Sequence, residues 1–441
     1  MRQPALPAEW SRLALVLGGE GMQSGLHFGL NLALMALLPA QEYGAFAFTL
    51  VLGGVGLVYM RSLAAMPAST YIGRARSEAA ANFYEGAFGA AALVVSLAMA
   101  AAAGAILSNW SASAAVSGAA TVGLWSLRSH LRTVGFARRR AGAVTIGDAV
   151  FAATGIAVSA AALWLDADRL QGALAALAVA NVAGIVAIAL ACGRRPRADF
   201  GLRARRFYLR LAWRLSWSLY SVTATVLLGQ GVAFLVVGLA GPAAFAPIAA
   251  MLAFFAPLRI FSMSLSNMLQ PEISRLAAAG DETGWRRLRW IWTVRAVALA
   301  LLYGCFCFLA IPHLHLRSLE HQPVMLLAVS AWSLYAVVLV YLTPRLLLET
   351  RLRFRDIAGV TTLGAAVGLA ATVLILQIAA PAFAILGAVL GESVAAAATW
   401  RLAARPLATR RRPAPLGFWR SGMAPCADPT CGPTRTTSPL S

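Results

Sequence analysis

Apolar runs of about twenty residues or more recur along this chain from Leu13 to about residue 404, parted by short basic stretches. A run of ~20 apolar residues is what one helix needs to cross ~30 Å of hydrocarbon. Twelve such segments can be drawn: 13–38, 44–66, 82–107, 114–136, 143–165, 170–192, 213–239, 244–268, 290–311, 323–343, 357–379 and 382–404. With 60% apolar and only 12% charged residues, the chain reads as an all-α, polytopic membrane protein. The first run is too long, and too poor in a small-residue cleavage site, for a removable signal peptide, so it is expected to stay as the first span.

The net charge of +20 comes from 37 arginines; the chain has no lysine. Those arginines crowd the ends of alternate segments, at Arg74 and Arg76, Arg138 to Arg140, Arg194 to Arg214, Arg275 to Arg289, Arg345 to Arg355 and after Arg401, while the opposite loops hold only Arg169 and Arg317. This is the positive-inside pattern, and it predicts both termini in the cytoplasm and an even number of spans. It argues for anionic membrane lipids as neighbours and against nucleic acid. Arg128 and Arg132 fall in the last third of the fourth segment and are expected to snorkel to the cytoplasmic face. Cys192, Cys305 and Cys307 lie in or beside spans, and Cys426 and Cys431 alone are too few for a zinc site. His313, His315 and His321, in the longest exported loop, read as solvated. No metal and no cofactor is expected. The Pro-, Arg- and Thr-rich tail 406–441 is expected to be disordered.

The halves resemble each other at a shift of roughly 200 residues. The polar stripe Ser216, Tyr220, Thr223 and Gln230 on the seventh segment matches one on the first, and Arg61 on the second matches Arg259 on the eighth. Ile72–Arg74 and Ile273–Arg275 follow in turn. Six spans per half is even, so the repeats share orientation about an axis along the membrane normal. The organisation predicted is an N-terminal six-helix bundle (1–193), a basic cytoplasmic linker (194–212), a C-terminal six-helix bundle (213–405) and the tail, with a central cavity between the bundles.

The first segment carries Glu20, Gln23, His27 and Asn31, which at ~100° per residue fall within about 100° of arc, with Gly18, Gly21, Gly25 and Gly29 roughly opposite. The polar face is expected to meet water or ligand and the glycine face to pack on a neighbouring helix. Ionisable groups within a span are costly and mark functional sites by default. Arg61 and Arg259 offer planar donor forks suited to phosphate or carboxylate, Arg61 with the alternative of snorkelling to the nearby cytoplasmic end of its span. With Gln23, His27, Asn31 and Tyr220 they form the candidate substrate cavity, and Trp213 and Trp217 are candidates to stack on sugar faces or to anchor their span end at the interface. Glu20, Asp148 and Glu392 are candidates for ion coupling, Asp148 with the alternative of simply pairing with a nearby arginine, Glu392 with that of a buried structural ion pair, and Glu20 and His27 open between ligand contact, ion coupling and a structural pair. There is no catalytic constellation, no nucleotide-binding loop and no soluble domain, so the chain is read as a non-enzyme that moves its cargo on a gradient or with a partner.

The stretch GGEGMQSGLHFGLNLALMALLPAQEYGAFAF (Gly18–Phe48) joins a Gly- and Gln-containing first helix, with an Asn late in it, to a short loop ending in Glu42-Tyr43-Gly44, after which Phe46 and Phe48 open the second span. It resembles the start of Wzx-type polysaccharide flippases of the multidrug/oligosaccharidyl-lipid/polysaccharide exporter superfamily. Pro271-Glu272-Ile273-Ser274-Arg275 resembles that family's exit from its eighth span. The resemblance implies two six-helix bundles in a V around a central cavity, in the bacterial inner membrane. It implies a lipid-linked (undecaprenyl-pyrophosphate) oligosaccharide as cargo, for exopolysaccharide, capsule or O-antigen synthesis, and a glycan polymerase and co-polymerase as partners. It places Arg61 and Arg259 where such proteins meet the anionic headgroup. The lipid II flippase branch has fourteen spans; no extra pair is found here. A drug/cation antiporter of the same superfamily would favour acidic and aromatic cavity residues. A major-facilitator transporter would carry an Asp among Met66–Ala79. A membrane polymerase or ligase would need a large exported loop.

Overall fold

The computed structural model describes residues 6–165, 168–193, 195–313, 319, 322–351 and 353–404. Among these every regular element is a helix and there is no strand. The order is α1 (Leu6–Leu37), α2 (Ala40–Met60), a π-helical turn (Arg61–Ala65), α3 (Met66–Arg74), α4 (Glu78–Leu107), α5 (Ala112–Ala137), α6 (Ala141–Trp164), α7 (Arg169–Cys192), α8 (Leu202–Ala240), α9 (Pro242–Phe254), α10 (Ala256–Ala279), α11 (Glu282–Ala310), α12 (Val324–Thr350), α13 (Phe354–Ile378) and α14 (Ile385–Ala403). His315, Arg317, Glu320, His321, Asp166, Arg194 and the tail with its two cysteines lie outside the described residues, as do the side chains of Trp213 and Trp217.

Among the described residues, nine helical stretches are long and apolar enough to cross a membrane, with α2 and α3 counted as one, and the bent pair α9/α10 makes a tenth. The helices α1 and α5, of 32 and 26 residues, are long enough at ~1.5 Å per residue but less apolar. The shortfall comes from Glu20, Gln23, His27 and Asn31 in one and Arg128, His130 and Arg132 in the other. With these two, every expected segment falls on a helix. Helix α8 starts at Leu202 and runs unbroken through most of the stretch read as a linker.

Helix pairing repeats between the halves. In the first, α6 packs on α7, α5 on α7, α1 on α6 and α2 on α5; six spans on, α13 packs on α14, α12 on α14, α8 on α13 and α10 on α12. Gly364 and Gly368 of α13 face Gly387 and Gly391 of α14 so closely that a Cβ on Gly368 would lie 3.0 Å from the Gly387 carbonyl oxygen. Small residues four apart permit this backbone approach, which replaces a missing hydrophobic drive in lipid by van der Waals contact.

At the arginine-poor end the halves close on each other through α2 and α9. Gly44 lies against the Pro242 carbonyl, where no side chain fits, and the ring of Phe48 meets Phe234 and Phe245 edge-on at 5.5 and 6.3 Å. At the arginine-rich end the halves are tied mainly through α8, which packs on α4 and the π-turn, while α10 packs on α11 and α12 of its own half.

Spans 2 and 8 are both interrupted, and a proline explains each. Pro67 has no N–H for the Leu63 carbonyl, so the helix widens into the π-turn, and the Tyr208 hydroxyl of α8 donates to the Leu63 oxygen at 3.0 Å. Pro257 follows the break at Phe255, where span 8 bends by 52°. There the Tyr303 hydroxyl of α11 donates to the Phe254 oxygen at 2.7 Å.

Candidate functional site

The polar face of α1 turns into the first half, toward α5 and α6. Arg128 is fully buried. Its Nε donates to Asn181 Oδ1 at 2.9 Å, Nη1 to Asp148 Oδ1 at 3.0 Å and Nη2 to Gln23 Oε1 at 2.8 Å. The guanidinium lies 3.6 Å from the centre of the Phe151 ring. One turn on, Arg132 donates through Nε and Nη2 to Asp148 Oδ2 at 3.1 and 2.9 Å, and through Nη2 to Glu20 Oε1 at 2.9 Å. Two guanidiniums thus meet two carboxylates. An ion in low dielectric is tolerable only when paired and hydrogen-bonded, and both guanidiniums are ion-paired and each makes three hydrogen bonds. This corrects the snorkelling expected of Arg128 and Arg132. They turn inward because Asp148 on α6 and Glu20 on α1 offer them carboxylates. Asp148 does pair with a nearby arginine.

The expected orientation of α1 is also reversed. Beside Gly18, Gly21, Gly25 and Gly29 an added Cβ would meet nothing within 4 Å; this face is the open one. On the polar face, His27 stacks on Trp125 at 4.4 Å, with both ring nitrogens buried and unbonded. Asn31 accepts from the Tyr43 hydroxyl at 2.7 Å. Gln23, His27 and Asn31 therefore line the interior of the first half, and Glu20 has a side chain 53% exposed. Polarity alone marked the stripe, and it could not say whether water or α5 would satisfy it.

The second half repeats the device with different charges. Glu392 of α14 is buried and accepts from the Tyr341 hydroxyl of α12 at 2.7 Å. Arg345, one turn on from Tyr341, acts on Glu392 electrostatically and donates to Glu349 at 3.3 Å. Here one guanidinium serves two carboxylates. In both halves the arginine stands on the fourth span. The sequence reading missed Asn181, Tyr341 and Arg345; the fourth-span arginines at corresponding places were the available signal.

Arg61 and Arg259 differ from all of these. Both are exposed, and neither has an ion pair or side-chain hydrogen bond among the described residues. Arg61 opens the π-turn of span 2; Arg259 stands just past the break of span 8, beside Tyr335 of α12. Tyr220, half exposed, hydrogen-bonds Thr362 of α13 at 2.9 Å. Thr223 bonds Tyr59 at 3.0 Å and Ser218 bonds Ser62 at 2.7 Å, both across the halves. No group of residues that would hold a metal ion occurs among the described residues.

No protein-family model and no curated protein matches the sequence. Solved structures do match the fold. An inward-facing multidrug resistance MATE family transporter of the MOP superfamily superposes with a TM-score of 0.67 at 13% identity, over 89% of this chain and 97% of that one. The lipid II flippase MurJ, in an inward closed conformation, gives 0.64 at 10% identity over 88% and 87%. The eukaryotic MATE transporter AtDTX14 gives 0.59 at 14% over 90% and 95%. The fold is the one seen in these solved transporter structures. The chain is an all-helical membrane protein with about twelve spans, as its apolar periodicity predicts.

Proposed function

We propose that this protein is a Wzx-type flippase that carries an undecaprenyl-pyrophosphate-linked oligosaccharide across the bacterial inner membrane by alternating access of its two halves. The arginine-rich end is cytoplasmic in this reading, with both termini there. The observation that carries it is the pair Arg61 and Arg259. They are exposed guanidiniums without carboxylate partners, one in each half, each beside a proline-made interruption of its span. A pyrophosphate presents oxygens that match two donor forks. The likeness to MATE transporters raises a drug/cation antiporter instead, but a cationic cargo wants an open carboxylate. Glu20, Asp148 and Glu392 are each held by protein donors.

Other parts take roles around that pair. The open glycine face of α1 gives a polyprenyl chain a smooth strip to lie along, because α1 packs chiefly on α6. Tyr220 lies toward the sugars. Gln23, His27 and Asn31 act through the shape of the first half. Glu392 is the coupling candidate that remains: in the first half each carboxylate is matched by a guanidinium, whereas Glu392 shares Arg345 with Glu349. A polymerase and co-polymerase would receive the flipped product.

The test is glycan export in cells, with binding of undecaprenyl pyrophosphate to the purified protein in nanodiscs. Arg259→Ala and Arg61→Ala should each abolish export at normal membrane levels and weaken that binding. Arg259→Lys should restore charge yet remain impaired, since the bidentate fork is lost. Normal export by Arg259→Ala at wild-type abundance would overturn the reading.

A further inference from the structure

A second set of arginines lies at the arginine-rich end of the first half and is absorbed by none of the roles above. The turns joining α3 to α4 and α5 to α6 enclose a groove of about 340 Å³, lined by Arg76, Ser77, Glu78, Arg138 and Arg139 among others. Its charges do not balance. Arg138 is spent within the protein: Nε and Nη2 donate to Glu85 at 3.0 and 2.7 Å, Nη1 to both oxygens of Glu78 at 3.1 Å, and Nη2 also to Asn82 at 2.8 Å. Arg76 and Arg139 are exposed and carry no ion pair or side-chain hydrogen bond among the described residues. Two unneutralised guanidiniums therefore face one concavity.

The backbone adds a second observation. Arg139 has φ +58°, the one non-glycine positive φ among the described residues. It sits just past the end of α5, where its N–H donates to the Phe136 oxygen and that of Arg140 to the Gly135 oxygen, both at 2.9 Å. Helices end this way on glycine by preference, because a Cβ is strained there. Here the left-handed position carries a guanidinium instead, on the rim of the groove.

We propose that this groove binds the phosphate-bearing headgroup of an anionic phospholipid in the leaflet at the arginine-rich end. Arginine forks fit a phosphodiester in two-point contact, and basic pockets at span ends stand at headgroup depth. The site is separate from Arg61 and Arg259 and does not depend on what the protein transports.

The experiment uses the full chain in detergent, with retention of phosphatidylglycerol or phosphatidylcholine read by native mass spectrometry and the shift in melting temperature on adding each lipid. Arg76→Ala and Arg139→Gly should each weaken phosphatidylglycerol retention about fivefold, the scale of one arginine's attraction to an anionic surface. Each should also remove its thermal shift and leave phosphatidylcholine unaffected. Glycine suits the left-handed position, so Arg139→Gly tests the guanidinium without straining the fold. Wild-type phosphatidylglycerol retention by both variants would overturn the proposal. Displacement of the lipid by millimolar inorganic phosphate would overturn the lipid assignment, leaving a site for soluble anions.

Discussion

Removing the Asp148 carboxylate tests whether the buried network organises the first half. Asp148→Asn keeps the side-chain shape but takes one negative charge from a group of two guanidiniums and two carboxylates. Arg128, fully buried, then has no hydrogen-bonded ionic partner, since the Glu20 hydrogen bond goes to Arg132. Breaking a buried pair from one side costs about 3–5 kcal/mol, chiefly the desolvation of the charge left behind. With about 2–4 °C per kcal/mol for a unit of roughly this half's size, the melting temperature of purified protein should fall by about 6–20 °C. The companion variant Arg128→Met/Asp148→Leu removes one charge of each sign and leaves Arg132 paired with Glu20 at 2.9 Å. It should recover more than half of the loss, although Asn181 and Gln23 each lose a donor. Fluorescence-detected size-exclusion after a temperature ramp reads both variants at once. An Asp148→Asn protein melting within about 2 °C of wild type would refute the argument that these charges are buried and interdependent. A double variant no better than the single would show that packing around Arg128, not charge balance, carries the stability.

Gly25→Ala in α1 should be neutral or raise the melting temperature slightly, because the position is open and alanine favours a helix by about 0.5–1 kcal/mol; a clear loss would mean this face packs after all. Gly368→Val should lower it, since the Cβ alone would sit 3.0 Å from the Gly387 oxygen and overpacking costs about 1–3 kcal/mol. Tyr208→Phe should cost about 1 kcal/mol by leaving the Leu63 carbonyl without its donor, seen as a drop of a few degrees; an unchanged midpoint would show that the π-turn needs no outside donor.

The fold was legible because a bilayer admits few solutions, and apolar length alone marked the spans. Individual roles were less so, and the two polar spans show why. Glu20, Gln23, His27 and Asn31 line one face of α1 by helical spacing alone, but nothing in one helix says what that face meets. The answer lay on α5, where Arg128 and Arg132 stand one turn apart, and α6, where Asp148 lies between them in space. The snorkelling expectation failed there because it weighed each arginine against water and ignored partners on other spans. Arg61 and Arg259 were legible as a symmetric pair. Pro67 and Pro257, the local cause of the interruptions beside them, stood in the sequence unread.

The two interruptions have different consequences for motion between the halves. In span 8 the carbonyl of Phe254, left without the Leu258 N–H that bonds Phe255 instead, is held by Tyr303, from the same half. In span 2 the freed carbonyl of Leu63 is held by Tyr208 of α8, and α8 also bonds Ser62 and Tyr59 through Ser218 and Thr223. Helix α8 is therefore fastened to span 2 at Tyr208, Ser218 and Thr223 and to α13 through Tyr220. Parting span 2 from α8 breaks three cross-half hydrogen bonds, each with a net value of about 1 kcal/mol. At ~1.4 kcal/mol per factor of ten, that is a bias on the order of a hundredfold between conformations. The contact between α8 and span 2 therefore ties the halves together at the arginine-rich end, whereas the Tyr303 bond acts within one half.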